Sequence, residues 1–143
     1  MELAIGTTSS TSGKITPSLH TGFGWGDSFL TLFSTGTSTE LYYQSTYGLS
    51  YYKKWTSAEF MFAPLQTYFG VGGTFSVYGF RDYGSTTEET ANDLTLGPAF
   101  RAQWQLTSML YLSIEAIWGI RSLDRHLLLH FQDTTTLSFG VNF

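Results

Sequence analysis

The stretch "LTLGPAFRAQWQL", residues 94 to 106, alternates without a break. Its even positions are Leu94, Leu96, Pro98, Phe100, Ala102, Trp104 and Leu106; its odd positions are Thr95, Gly97, Ala99, Arg101, Gln103 and Gln105. Successive side chains of a strand point to opposite faces, so this period of two predicts a long strand with one apolar face and one small or polar face. Its length exceeds the roughly 5–6 residues usual for strands in soluble proteins, and also the about 9–11 that a tilted strand needs to cross hydrocarbon.

The next stretch repeats the pattern. Leu110, Leu112, Ile114, Ala116, Trp118 and Ile120 share one face, and Tyr111, Ser113, Glu115, Ile117, Gly119 and Arg121 the other. Only Thr107-Ser108-Met109 separates the two. If Leu106 faces Leu110 across this hairpin, Arg101 falls opposite Glu115 on the polar face, a favourable cross-strand pairing of opposite charge.

Working outward, residues 131 to 143 carry Phe131, Leu137, Phe139, Val141 and Phe143 on one side, with Asp133 and Thr135 interrupting it. Upstream, alternation recurs in residues 41 to 52, around Phe60 and Phe62, and from Phe69 to Tyr78, which makes six clear segments. The first forty residues admit two partitions, each giving eight strands in all. In one, strands run from about 14 to 25 and 28 to 34 around Gly26-Asp27-Ser28; in the other, a strand at 2 to 9 precedes one through 18 to 34. "DYGSTTEETAND", residues 82 to 93, reads as the longest polar connection, whereas residues 107 to 109 and the region from Pro64 to Thr67 read as tight turns. Long loops at one end and short turns at the other are the asymmetry of a bacterial outer-membrane barrel.

Composition narrows the classes. The 143 residues suit one domain, 1–143, with no linker between two cores. Aromatic residues make up 17% and charged residues only 13%, about half the share usual in soluble domains. No run of about eighteen apolar residues could form a spanning helix, so any crossing of a membrane must be made by strands. A net charge of −4 and the absence of a basic stretch longer than Lys53-Lys54 argue against nucleic-acid binding. Without cysteine there is no disulfide frame, thiolate site or cysteine nucleophile. The chain opens Met1-Glu2 and passes directly into polar residues, as a mature protein with an added initiator would.

A soluble lipid-binding barrel shows the same alternation with its apolar face inward. The polar face decides between the two. A water-facing strand would carry many Lys and Glu, whereas this face is Gly, Ser, Thr, Gln, Asn, Tyr and Ala with few charges, as suits a crowded interior where ionised groups must be paired. Trp25, Tyr43, Tyr51, Trp55, Trp104, Trp118 and Phe143 fall toward predicted strand ends, where amphipathic rings meet headgroups. Closure of the sheet satisfies the edge groups that lipid cannot. The expectation is an all-β, transmembrane, antiparallel up-and-down barrel of eight strands.

On the terminal Leu137-x-Phe139-x-Val141-x-Phe143, the paired strands 94 to 106 and 110 to 121, and the inward set Glu59, Arg101 and Glu115, the sequence resembles the small eight-stranded outer-membrane barrels of the OmpA/OmpX type. The resemblance implies a location in the bacterial outer membrane, contact with membrane lipids, and a C-terminal strand, Leu137, Phe139, Val141 and Phe143, read by the outer-membrane assembly machinery. It implies architecture, not an activity.

The expected sites follow. Eight strands enclose a lumen just wide enough for side chains to fill, so no continuous pore is expected. Glu59, Arg101, Glu115 and Arg121 are expected to form an interior ion-pair network. Asp82, Glu88, Glu89 and Asp93 make an acidic surface loop suited to an extracellular partner. His126 and His130 would be about 13 Å apart on a strand, too far for one metal ion. Ser122, Asp124 and His126 would suit a lipid-modifying hydrolase or acyltransferase only if the fold brought them together. "GVGG" lacks the Lys-Ser/Thr of a phosphate loop, so close packing explains it better. His20 reads as an inward or interfacial residue. The expected protein is a monomer without cofactor or catalytic residues, acting in envelope structure or surface recognition. The lipid-modifying enzyme is the alternative, and a narrow channel or a soluble lipid-binding barrel lies further off.

Overall fold

In the computed structural model, which describes residues 1–10, 15–60, 63–81, 88–123 and 126–143, every element is a strand. In chain order they are β1 (Glu2–Ser10), β2 (Ile15–Trp25), β3 (Ser28–Ser38), β4 (Tyr42–Phe60), β5 (Ala63–Arg81), β6 (Glu88–Gln105), β7 (Leu110–Leu123) and β8 (His126–Asn142). Each pairs antiparallel with the next, and β1 pairs with β8, so the sheet closes on itself as an eight-stranded barrel. Closure leaves no unpaired edge, which is the condition for a sheet to sit in lipid. Both termini lie at one end, where the Phe143 amide donates to Met1 O at 2.9 Å.

The burial pattern is inverted relative to a soluble barrel. Leu96, Val71 and Ile5 are 59%, 64% and 68% exposed on the outer face, whereas Arg101 and Glu2 are 2% exposed within. Water would strongly disfavour an exterior of this kind, since contiguous apolar patches beyond a few hundred Å² are rare on soluble monomers. In lipid it carries no such penalty. The inner face is Ser, Thr, Gln and a few charges around a small cluster of Phe33, Tyr52, Tyr68, Ala99 and Ile117. Hydroxyl pairs link neighbouring strands inside, Thr8 with Thr136 at 3.1 Å, Thr46 with Ser76 at 2.8 Å and Ser113 with Ser138 at 2.8 Å.

Three boundaries differ from the sequence expectation. The first forty residues hold three strands, so neither partition stands: the strand at 2 to 10 belongs to one and the break at residues 26 and 27 to the other. That break is a two-residue connection between the paired Trp25 and Ser28, with Gly26 at φ 56°, a left-handed conformation that glycine adopts without Cβ strain. Second, the segments at 41 to 52 and around Phe60 are one strand, β4, and residues 64 to 67, expected as a tight turn, are paired residues of β5. Lys54 pairs with Tyr68 but Thr56 with Thr67, so Trp55 is an extra residue, a bulge that reverses the phase of the alternation. The apolar positions are odd at Leu49 and Tyr51 and even at Phe60, which made one strand look like two. Third, β6 begins at Glu88 and pairs with the upper part of β5 from Arg81 onward. Glu88, Glu89 and Asp93 are therefore strand residues rather than loop. Polar sequence forms strand here because the backbone ladder with β5, not an apolar face, holds it.

Candidate functional site

The lumen is organised by Arg101. It projects inward from β6, and its Nη2 donates to Glu2 Oε1 at 2.6 Å and to Gln103 Oε1 at 3.1 Å, while Nη1 donates to Glu115 Oε2 at 3.4 Å. Glu115 Oε1 accepts from Thr31 Oγ1 at 3.0 Å. The guanidinium also lies 4.6 Å from the centre of the Phe29 ring and 5.8 Å from that of Tyr111, within the range of cation–π attraction. One side chain thus ties β1, β3, β6 and β7 together across the barrel.

Two carboxylates share this one guanidinium, and all three groups are buried. Such charges are tolerated only when paired, because taking an ion out of water costs several kcal/mol even after relaxation. Beside the cluster, His20 Nε2 and Ser18 Oγ are 2.8 Å apart, and the His20 ring stacks on Phe33 with centroids 5.3 Å apart. His20 is an interior packing residue.

A second ion pair lies toward the opposite end of the barrel from the termini. Arg121 Nε is 2.5 Å from Asp93 Oδ2, a charge contact without the alignment of a hydrogen bond. The Tyr78 hydroxyl donates to the same oxygen at 3.2 Å. Asp93 and Arg101 are eight residues apart on β6, about 26 Å along the strand. Arg121 therefore belongs to a separate pair and not to the Arg101 cluster.

Glu59 is a correction. It is exposed at the end of β4, opposite Pro64, and takes no part in the interior cluster. Past the bulge at Trp55, the pairing with Pro64 puts Glu59 on the row of the inward Gln66 and Tyr68, but at the end of β4 Ser57, Ala58 and Pro64 are exposed as well, so that row has run beyond the packed lumen. Glu2 occupies the role instead. It was missed because it stands in the stretch whose strand boundaries were ambiguous, although the alternation Glu2, Ala4, Gly6, Thr8 against Leu3, Ile5 was visible there. Arg101 and Glu115 are cross-strand partners in the β6/β7 register.

The remaining expected residues are scattered. Leu137, Phe139 and Phe143 are exposed on the outer face of β8 and just beyond it, and Val141, partly buried, pairs with both Leu3 and Leu110. Glu89 is exposed, and Asp93 is buried in the lumen, not presented on a loop. Asp82, Asp124 and the side chains of Glu88, Ser122, His126 and His130 lie outside the described residues. His126 and His130 both fall on strand β8, not on a helix.

A closed eight-stranded antiparallel barrel with an apolar exterior and an ion-paired polar lumen is, by fold, an outer-membrane β-barrel. Solved structures agree with that class. The N-terminal barrel domain of Pseudomonas aeruginosa OprF matches with a TM-score of 0.62 at 12% identity, covering 99% of this chain and 96% of that one. Ail, the attachment invasion locus protein of Yersinia pestis, matches with a TM-score of 0.59 at 14% identity, covering 99% and 97%. The outer membrane enzyme PagL matches with a TM-score of 0.57 at 9% identity, covering 100% of both chains. No protein-family model matches the chain, and no curated protein sequence matches it. An attachment protein and an enzyme stand among the similar barrels, so the fold by itself sets no activity.

Proposed function

We propose that this chain is an integral protein of the bacterial outer membrane, with its termini on the periplasmic side, and that it serves a structural or surface-recognition role rather than solute passage or catalysis. The observation that carries this reading is the occupied lumen: Arg101, held by Glu2, Gln103 and Glu115, crosses the interior from β6 to β1. A barrel plugged in this way acts through its outer surface and its ends. Its partners on this reading are membrane lipids, the assembly machinery that would read Leu137, Phe139, Val141 and Phe143, and an extracellular partner met by the acidic sequence from Asp82 to Glu89. Nucleic acid has no place in it, and the barrel works as a monomer.

The test separates the recognition role from the fold. Residues 82–87 are replaced by Asn-Gly and Glu89 by Gln, and cells displaying equal amounts of this variant and of the wild type are compared for attachment to a panel of cell and matrix surfaces. The proposal expects the variant to fold, shown by heat-modifiable gel mobility, and to attach less. Equal attachment would count against recognition at this end, and steady conductance steps from the wild type in a planar bilayer would count against a plugged lumen.

A further inference from the structure

The outer face carries a gap at Gly73. On the lateral row that runs across β3 to β7, Leu32 pairs with Leu49, Leu49 with Gly73, Gly73 with Leu96 and Leu96 with Ile120. Every member of the row is an aliphatic side chain except Gly73. The row on one side holds Tyr47, Phe75 and Leu94, and the row on the other holds Tyr51 and Val71. The result is a groove of about 740 Å³ on the apolar exterior, floored by Gly73 and walled by Leu32, Leu49, Val71, Phe75 and Leu96, with Tyr51 at its end toward the termini. A Cβ added at Gly73 would meet Leu96 Cδ2 at 2.5 Å and Thr95 O at 2.9 Å, so any larger residue would push Leu96 into the space.

Polar groups of one kind stand at that end. Lys53 follows Tyr51 on the same face of β4, one alternation along, and is paired with Ser28 on one side and Phe69 on the other. The Ser28 and Tyr51 hydroxyls are 3.0 Å apart. Among the described residues Lys53 has no ion-pair partner. Rings flank it on both sides: Trp25 against Tyr51 at 6.2 Å, Trp55 against Phe69 at 4.9 Å, and Phe69 against Phe100 at 5.1 Å. Such a belt marks the level of the headgroups. Phe69 and Gly73 are four residues apart on β5, about 13 Å along a strand that tilts by roughly 40°, so the amine and the gap stand about 10 Å apart along the membrane normal, as a headgroup and the upper part of an acyl chain are.

We infer that this face binds one anionic phospholipid of the leaflet at the termini end, its phosphate on Lys53 with the Ser28 and Tyr51 hydroxyls and an acyl chain in the groove over Gly73. Charge complementarity selects the occupant: an unpaired ammonium at headgroup depth favours a lipid with net negative charge over a zwitterionic one of the same chain length. The inference rests on the membrane reading of the barrel, so folding is checked for each protein by heat-modifiable mobility before binding is read.

The test is native mass spectrometry of the whole chain refolded in detergent doped with phosphatidylglycerol or with phosphatidylcholine of identical chains. The wild type is expected to keep one phosphatidylglycerol per barrel, at least fivefold more often than phosphatidylcholine. Lys53→Gln is expected to abolish that preference and Lys53→Arg to keep it, while Gly73→Leu lowers retention of both lipids by blocking the groove. Retention of phosphatidylglycerol by a folded Lys53→Gln variant at the wild-type level would overturn the inference, as would equal retention of the two lipids by the wild type. Should Gly73→Leu fail to fold, the lysine pair alone decides.

Discussion

Arg101 and Glu2, ninety-nine positions apart in the chain, meet inside the barrel at 2.6 Å between Nη2 and Oε1. The contact joins β6 to β1, strands that share no ladder, and so registers the two halves of the sheet against each other. Its energetic weight lies less in the attraction than in what is left when it is broken. Arg101→Ala would strand two buried carboxylates, and is expected to cost about 3–5 kcal/mol, read as the shift of the urea midpoint of the detergent-folded protein. Arg101→Met combined with Glu2→Gln and Glu115→Gln leaves no buried charge and is expected to recover much of that loss. Glu59→Gln, on an exposed side chain, is expected to change stability by less than about 0.5 kcal/mol.

Room for that contact is made by a glycine. Gly22 pairs with Glu2 in the β1/β2 register, and a Cβ there would lie 2.6 Å from Glu2 Oε1 and 2.5 Å from Phe29 Cζ. Gly22→Ala is therefore expected to displace Glu2 and to destabilise the fold by about 1–3 kcal/mol. Gly24 is a fair control: its nearest neighbour for a Cβ is Phe29 Cδ2 at 3.2 Å, and Gly24→Ala should cost less in the same unfolding experiment.

Much of this architecture was legible in residues 94 to 121, because there the alternation is unbroken, the hairpin is short and Arg101 faces the one glutamate. It was less legible where a single residue changes the phase. Trp55 is apolar and looks ordinary in sequence, yet as an extra residue in β4 it turned one strand into two. The acidic run after Asp82 misled for a different reason. Polarity signals a loop only where no ladder holds the chain, and from Glu88 onward β5 supplies one. Glu2 shows the limit in the other direction: which of several carboxylates reaches Arg101 depends on closure of β1 against β8, a contact across the whole chain that no local pattern encodes.

The C-terminal strand separates folding from delivery. Phe143 is exposed and its backbone, not its ring, closes the end of the barrel through Met1. Phe143→Ala is expected to refold in detergent as the wild type does, with a stability change under about 0.5 kcal/mol. The same variant is expected to appear in the outer membrane of expressing cells at several-fold lower level, if the terminal residues are read by the assembly machinery. Equal membrane levels would remove that role from Phe143.

The most direct measurement is refolding from urea into detergent micelles and, in parallel, into buffer alone, followed by gel mobility with and without heating and by far-ultraviolet circular dichroism. An exterior on which Ile5, Val71 and Leu96 are mostly exposed, around a lumen that buries Arg101, should give a β-rich band with heat-dependent mobility in detergent and aggregate without it. A dispersed β-rich monomer in buffer alone would contradict the account, because the apolar face would then have to point inward.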